Sequence, residues 1–241
     1  MAKNNTALIV VGIIVIAFVV LSLNPEFNFS MLSGEQAWDT TNYYNQSQTQ
    51  LPASDSHAPS SMYAVVQPNT ISQGQRVIGV VTSDGYKYPI TVNARHMGQG
   101  TTQTFGGLLD DTGRFLISQT ISLPGSWEFW TTAGAVSSNR ADLTVLGIAT
   151  TSDRASVSKS LSPTCNIGVY SSTSGNVAII ANDPVHFISV PLTNTVVNSG
   201  GYGTVNVDLS SLAQGSYEID ALINGQTASG FGGACWVTVG R

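Results

Sequence analysis

The sequence predicts an all-β protein: two tandem β-sandwich domains, residues 62–147 and 148–241, preceded by a single N-terminal transmembrane helix (1–24) and a polar stalk (25–61). Three observations carry this. Ala7 to Leu23 reads ALIVVGIIVIAFVVLSL, with no charge and no proline. From Met62 onward the text breaks into short alternating runs separated by Gly, Pro, Asn and Asp, the pattern of strands and turns. The second part of that region repeats the first at a spacing of about ninety residues.

The seventeen residues from Ala7 span about 25 Å as a helix, slightly short of a ~30 Å hydrocarbon core. Thr6 and Asn24 extend them, and local thinning of the bilayer covers the remainder. Many of these residues are β-branched, which lowers helix propensity in water, but in lipid the backbone must satisfy itself and a helix forms. A cleaved signal peptide is the competing reading. Its apolar region would be shorter, and Leu23-Asn24-Pro25-Glu26 offers no small-residue cleavage site. A buried soluble helix fits less well, because the segment is apolar on every side. Lys3 precedes it and Glu26, Glu35 and Asp39 follow, so the expected topology is N-terminus inside, C-terminus outside.

Pro25 ends the helix. The stalk that follows has neither helical nor strand period and reads as an extended spacer. Trp38, Tyr43 and Tyr44 are unusual in such a segment. They suit the headgroup level of a bilayer or a neighbouring subunit. Asn28-Phe29-Ser30 and Asn45-Gln46-Ser47 are glycosylation sequons on the outer side.

In the first repeat the expected strands are 63–67, 76–82, 88–94, 102–106, 114–120, 126–132 and 141–146. The second repeat aligns through Gly113 and Gly125, which match Gly203 and Gly215 at the same twelve-residue spacing. Gly125-Ser126-Trp127-Glu128 corresponds to Gly215-Ser216-Tyr217-Glu218, and Phe115 and Ile117 to Val205 and Val207. Val77-Ile78-Gly79-Val80 is set against Asn166-Ile167-Gly168-Val169, and Leu143-Thr144-Val145 against Val237-Thr238-Val239. By alternation Trp127, Phe129 and Ile219 point inward, and Glu128, Trp130 and Glu218 outward.

The Leu123–Trp127 and Leu212–Tyr217 phrases resemble the corner that precedes a core-capping aromatic in immunoglobulin-like and fibronectin-like sandwiches. The resemblance covers residues 62–241 at the level of fold. It implies a tyrosine-corner hydrogen bond for Tyr217 and none for Trp127, which lacks a hydroxyl. Phe129 and Ile219 stand where an antibody domain has its second cysteine, so that family's inter-sheet disulfide is absent.

Cys165 and Cys235 are the only cysteines. On an outer surface a bridge between them is expected, closing a long loop and contributing about 4 kcal/mol in the chain-entropy picture. Two buried thiols are the alternative. Their places at the starts of two strands at opposite ends of a standard sandwich count against the bridge.

Charged residues make up only 10% of the chain, and the net charge is −5. No basic patch exists, which excludes nucleic acid as a partner. His57, His96 and His186 stand apart from one another, without metal-ligand spacing. Ser83-Asp84-Gly85 and Asp110-Asp111-Thr112-Gly113 have turn composition. No nucleophile elbow, phosphate cradle or calcium loop is present. The expectation is a non-enzymatic structural protein without cofactor or metal. It would be held in a lipid bilayer by residues 7–23 and would contact other copies or neighbouring proteins of an assembly. By analogy, this looks like the spike or turret proteins of virions with an internal membrane, whose domains project from the capsid exterior. The alternative is a bacterial or archaeal cell-surface adhesin, surface-layer associate or pilin-like filament protein with a receptor. A glycan-binding module, with Trp38, Trp127, Trp130 and Trp236 as stacking surfaces, ranks third.

Overall fold

The computed structural model describes residues 38–39 and 55–241. The expected membrane helix, both sequons, Tyr43 and Tyr44 lie outside them. Among the described residues no helix is long and apolar enough to cross a membrane.

Alternating apolar residues build the first set of strands: β1 (Trp38–Asp39), β2 (Met62–Gln67), β3 (Thr70–Ser72), β4 (Arg76–Ser83), β5 (Pro89–His96), β6 (Thr102–Leu108), β7 (Arg114–Ile121), β8 (Gly125–Ala133), β9 (Val136–Ser137) and β10 (Ala141–Leu146). They form one sheet of order β1-β7-β4-β2 and a second of order β3-β10-β8-β5-β6, with β9 on β8. The second set is β11 (Ile148–Ser152), β12 (Ser156–Ser158), β13 (Thr164–Ser171), β14 (Gly175–Asp183), β15 (Ile188–Val197), β16 (Tyr202–Asp208), β17 (Gly215–Ile223), β18 (Gln226–Thr227) and β19 (Cys235–Gly240). Its sheets run β11-β13-β16 and β12-β19-β17-β14-β15, with β18 on β17. The topology of the first half therefore recurs strand for strand in the second, apart from β1. Each half is a sandwich whose two sheets share a core. Val77 and Ile121 of one sheet meet Trp127, Phe129 and Leu143 of the other. Ile167, Val169 and Val207 likewise meet Val177, Ile219 and Val237.

All seven strands expected in the first repeat are present, with ends shifted by at most two residues. One alignment needs correction. Phe115 pairs with Val81, and Val205 pairs with Ile167. The counterpart of Ile167 is therefore Val81, not Ile78. Side chains alternate along a strand, so an odd offset sends a residue to the wrong face. Ile78 is indeed 49% exposed while Ile167 is fully buried.

The stalk reading is corrected at two places. Trp38 and Asp39 add a strand to the open edge of β7, opposite Ile121 and Thr120. Residues 55–61 pack on the first sandwich. His57 bridges Tyr86 through backbone hydrogen bonds and stacks on its ring. The Asp84 carboxylate accepts the N–H groups of Ser60 and Ser61 and the Ser60 hydroxyl. Gly85 has to be glycine here, because a Cβ would lie 2.5 Å from the Pro59 nitrogen.

Candidate functional site at the joint and the far turn

The two sandwiches meet where the β5–β6 turn and the Pro124–Gly125 corner of the first touch the β15–β16 turn of the second. The meeting is backbone on backbone. A Cβ on Gly98 would sit 2.7 Å from the Tyr202 nitrogen, and one on Gly200 would sit 2.4 Å from the Gly98 nitrogen. Ser126 N–H donates to Gly200 O (3.2 Å), and the Asn198 side-chain amide donates to Gly98 O (3.1 Å). Asn198 Oδ1 in turn accepts the N–H groups of Gly200 and Tyr202, which fixes the receiving turn.

His96 pins this contact and is 1% exposed. Its ring lies edge-to-face with Trp127 of the first sandwich (5.0 Å) and Tyr170 of the second (5.3 Å). Nδ1 accepts the Gln99 N–H, so the proton resides on Nε2, which donates to Pro124 O at 2.9 Å. Burial lowers the imidazole pKa below 6.5, and the Pro124 bond opposes this only in part. The Tyr170 phenol is pushed up to about 12, mainly by burial. The side chains of Thr151 and Gln99 oppose this in part.

The β14–β15 turn at the far end of the second sandwich is the counterpart of the His96 turn. His96 pairs with Trp127, and Asp183 falls at the matching place beside Tyr217. Gly98 and Gly100 are replaced by Val185 and Phe187. Like Gly100, Phe187 has positive φ, +55°, a strained conformation for an aromatic residue. Phe187 is 92% exposed, and Val185 and Ile188 are exposed beside it. The Asp183 carboxylate accepts the N–H groups of Val185 and His186 and pairs with His186 Nδ1 at 2.7 Å. The turn is thus an apolar tip held from behind.

The sequence-derived site residues are dispersed. Cys165 and Cys235 are free thiols, both in the second sandwich. Cys165 lies in the core on β13, opposite Val207, and Cys235 opens β19, opposite Ile219. The Cys235 N–H donates to Thr150 Oγ1, which donates to Ile219 O. Burial raises both thiols, Cys235 to about 11. Glu128 pairs with Arg140, whose guanidinium lies 4.3 Å from the centre of the Trp130 ring and occupies that stacking face. Asp110 accepts the N–H groups of Thr112 and Arg114, as its turn composition suggested. Among the described residues no group of His, Cys, Asp and Glu is arranged to hold a metal. A shallow recess of about 580 Å³ borders the joint, lined by Met97, Trp127, Asp142, Leu143 and Asn198 among others. Sequence reasoning missed the joint. Gly98, Gly200 and His96 carried no motif, and only the repeat hinted that two equivalent turns exist.

No family model matches the chain, and no curated protein does. Solved structures are similar to it at low levels. The Escherichia coli adhesin FdeC has a TM-score of 0.33 at 13% identity, covering 77% of this chain and 66% of that one. The Yersinia pseudotuberculosis adhesin InvE has a TM-score of 0.31 at 12% identity, covering 74% and 58%. A Salmonella alpha-2-macroglobulin has 0.31 at 11%, covering 75% of this chain but 14% of that one. The chain thus spans less than two thirds of each of these proteins.

Proposed function

We propose that the chain is a non-enzymatic surface protein in which the two sandwiches act as one fixed spacer presenting the Asp183–Ile188 turn to a partner. The reading rests on the joint: backbone-to-backbone contact around Gly98 and Gly200 leaves no slack between the halves. In this reading residues 7–23 hold the chain in a bilayer and everything after residue 24 lies outside. A cell-surface role in adhesion takes first place, since a rigid module ending in an exposed apolar turn is suited to contact. A virion spike would use the same spacer. Its support includes the anchor and the stalk, most of which lie outside the described residues.

Labelling of intact cells that produce the full chain, with a membrane-impermeant amine reagent, tests the topology. Lys159, exposed near the far end of the second sandwich, becomes modified without lysis. Modification only after lysis rejects the outward topology. Adhesion of the same cells to a test surface should fall when Phe187 is changed to Ser, and an unchanged level rejects the role of the turn.

A further inference from the structure

We propose that His96 is a pH-operated pin: protonation of its ring releases the β5–β6 turn and converts the fixed joint between the sandwiches into a hinge. The turn carries part of the polar contact across the joint, while Ser126 N–H to Gly200 O comes from the neighbouring corner, to which Met97 N–H ties the turn. Gly98 O accepts from the Asn198 side-chain amide across the joint. Gly98 supplies the close backbone approach to Gly200. Gln99 N–H donating to His96 Nδ1 helps to shape the turn, beside the backbone bonds from Gly100 N–H to His96 O and from His96 N–H to Thr101 O. A second ring proton can sit only on that nitrogen, where it faces the Gln99 N–H. Two donors then point at one another at a buried position, and the ring's bond to the turn is lost. The other ring nitrogen is already a donor to Pro124 O and gains nothing.

The surroundings offer the cation no compensation. Across the joint β13 contributes Tyr170, a neutral phenol at these pH values, with the Tyr202 ring of β16 tilted against it at 5.0 Å. From β8 comes the uncharged Trp127, while Glu128 points to the opposite face and pairs with Arg140. Arg95 precedes His96 on β5 and, paired opposite Glu128, points to the other face as well. Asp142 on β10 is exposed and lines the neighbouring recess with Trp127. Among the described residues no carboxylate acts on the imidazole. The sign follows from the lowered pKa. The neutral ring is favoured in the folded joint, so its contribution is complete above pH 6.5. It is lost as pH falls from 6.5 through the folded-state value.

Spin labels on the full chain at T104C and N194C, exposed sites on β6 and β15, read the joint by pulsed electron-spin distance measurement. Both native thiols are shielded by burial and compete poorly for label. One narrow distance distribution is expected at pH 8. A clear broadening is expected at pH 5, with a midpoint below 6.5, and H96Q should stay narrow at both. An unchanged distribution in the parent overturns the proposal, and so does equal broadening in H96Q, which would assign the effect to carboxylates. Should H96Q misfold, the His96 ring titration followed by NMR must share its midpoint with the distance change. Separate midpoints overturn the proposal equally.

Discussion

Trp127 and Tyr217 close the same corner of the two sandwiches with different atoms. The Trp127 indole N–H donates to Leu123 O at 3.0 Å, and the Tyr217 hydroxyl donates to Ala213 O at 3.2 Å, each four residues back along the chain. Both rings are buried. The lack of a hydroxyl in Trp127 therefore does not remove the bond, because the ring nitrogen reaches the same carbonyl. Tyr217→Phe should cost about 1 kcal/mol, the worth of one such bond. Trp127→Phe should cost more, since it also leaves a void in the core. Midpoints of denaturant unfolding at constant slope measure both.

The joint tolerates no side chain at its two glycines. The atoms a new Cβ would meet at Gly98 or Gly200 are mainly backbone, which cannot swing aside. Gly98→Ala and Gly200→Ala should each destabilise by about 1–3 kcal/mol, in the range of overpacked sites. Gly134 has open space around it but positive φ. Gly134→Ala thus reports backbone strain alone and separates the two causes.

Thr131 is fully buried on β8, and its hydroxyl has no hydrogen-bond partner among the described residues. Its backbone is satisfied by Ser138 on both sides. Thr131→Val keeps the shape and removes the unpaired polar atom, so it should stabilise the chain by about 1 kcal/mol. A fall in the unfolding midpoint would show that the hydroxyl has a partner in solution.

Acid should weaken the loop ends. Asp84 is held well below the usual carboxylate range, first by the Ser60 hydroxyl and then by the Ser61 N–H. Asp110, Asp183 and Asp208 are lowered as well, chiefly by Arg114 N–H, the His186 ring and Ser210 N–H respectively. A depressed folded pKa gives stability that is complete above the unfolded value near 3.8 and disappears as pH falls through the folded one. Asp84→Asn should therefore reduce the acid sensitivity of unfolding measured between pH 5 and pH 2.

Both thiols should react slowly in the native chain. Neither is fully accessible, and the high pKa of Cys235, about 11, leaves little thiolate at pH 8. A disulfide-exchange reagent should find two thiols per chain after denaturation and fewer beforehand. Finding none after denaturation would establish the bridge.

The strands were legible because alternation is a local signal, and the corner phrases marked the repeat. The match of Phe115 and Ile117 with Val205 and Val207 kept every side chain on its proper face. The match of Ile78 with Ile167 did not, since a glycine shared by both segments suggested an odd offset that the pleat forbids. The joint was invisible for a different reason. Gly98 and Gly200 lie about a hundred residues apart, and nothing near either one indicates that their backbones touch. Trp127's bond was missed because the corner had been defined by a hydroxyl instead of by any donor of sufficient reach. The pairing of Trp38 with β7 was not legible because strand pairing at a distant edge leaves no trace in the surrounding residues.

The seating of residues 55–61 on the Gly85 turn has a practical consequence for anyone preparing a soluble piece of this protein. Cutting at Met62, where the strand pattern starts, would strip Ser60 and Ser61 from the Asp84 carboxylate and uncover the Gly85 turn. A piece begun at Asp55 retains that lid and is the better starting point for crystallisation.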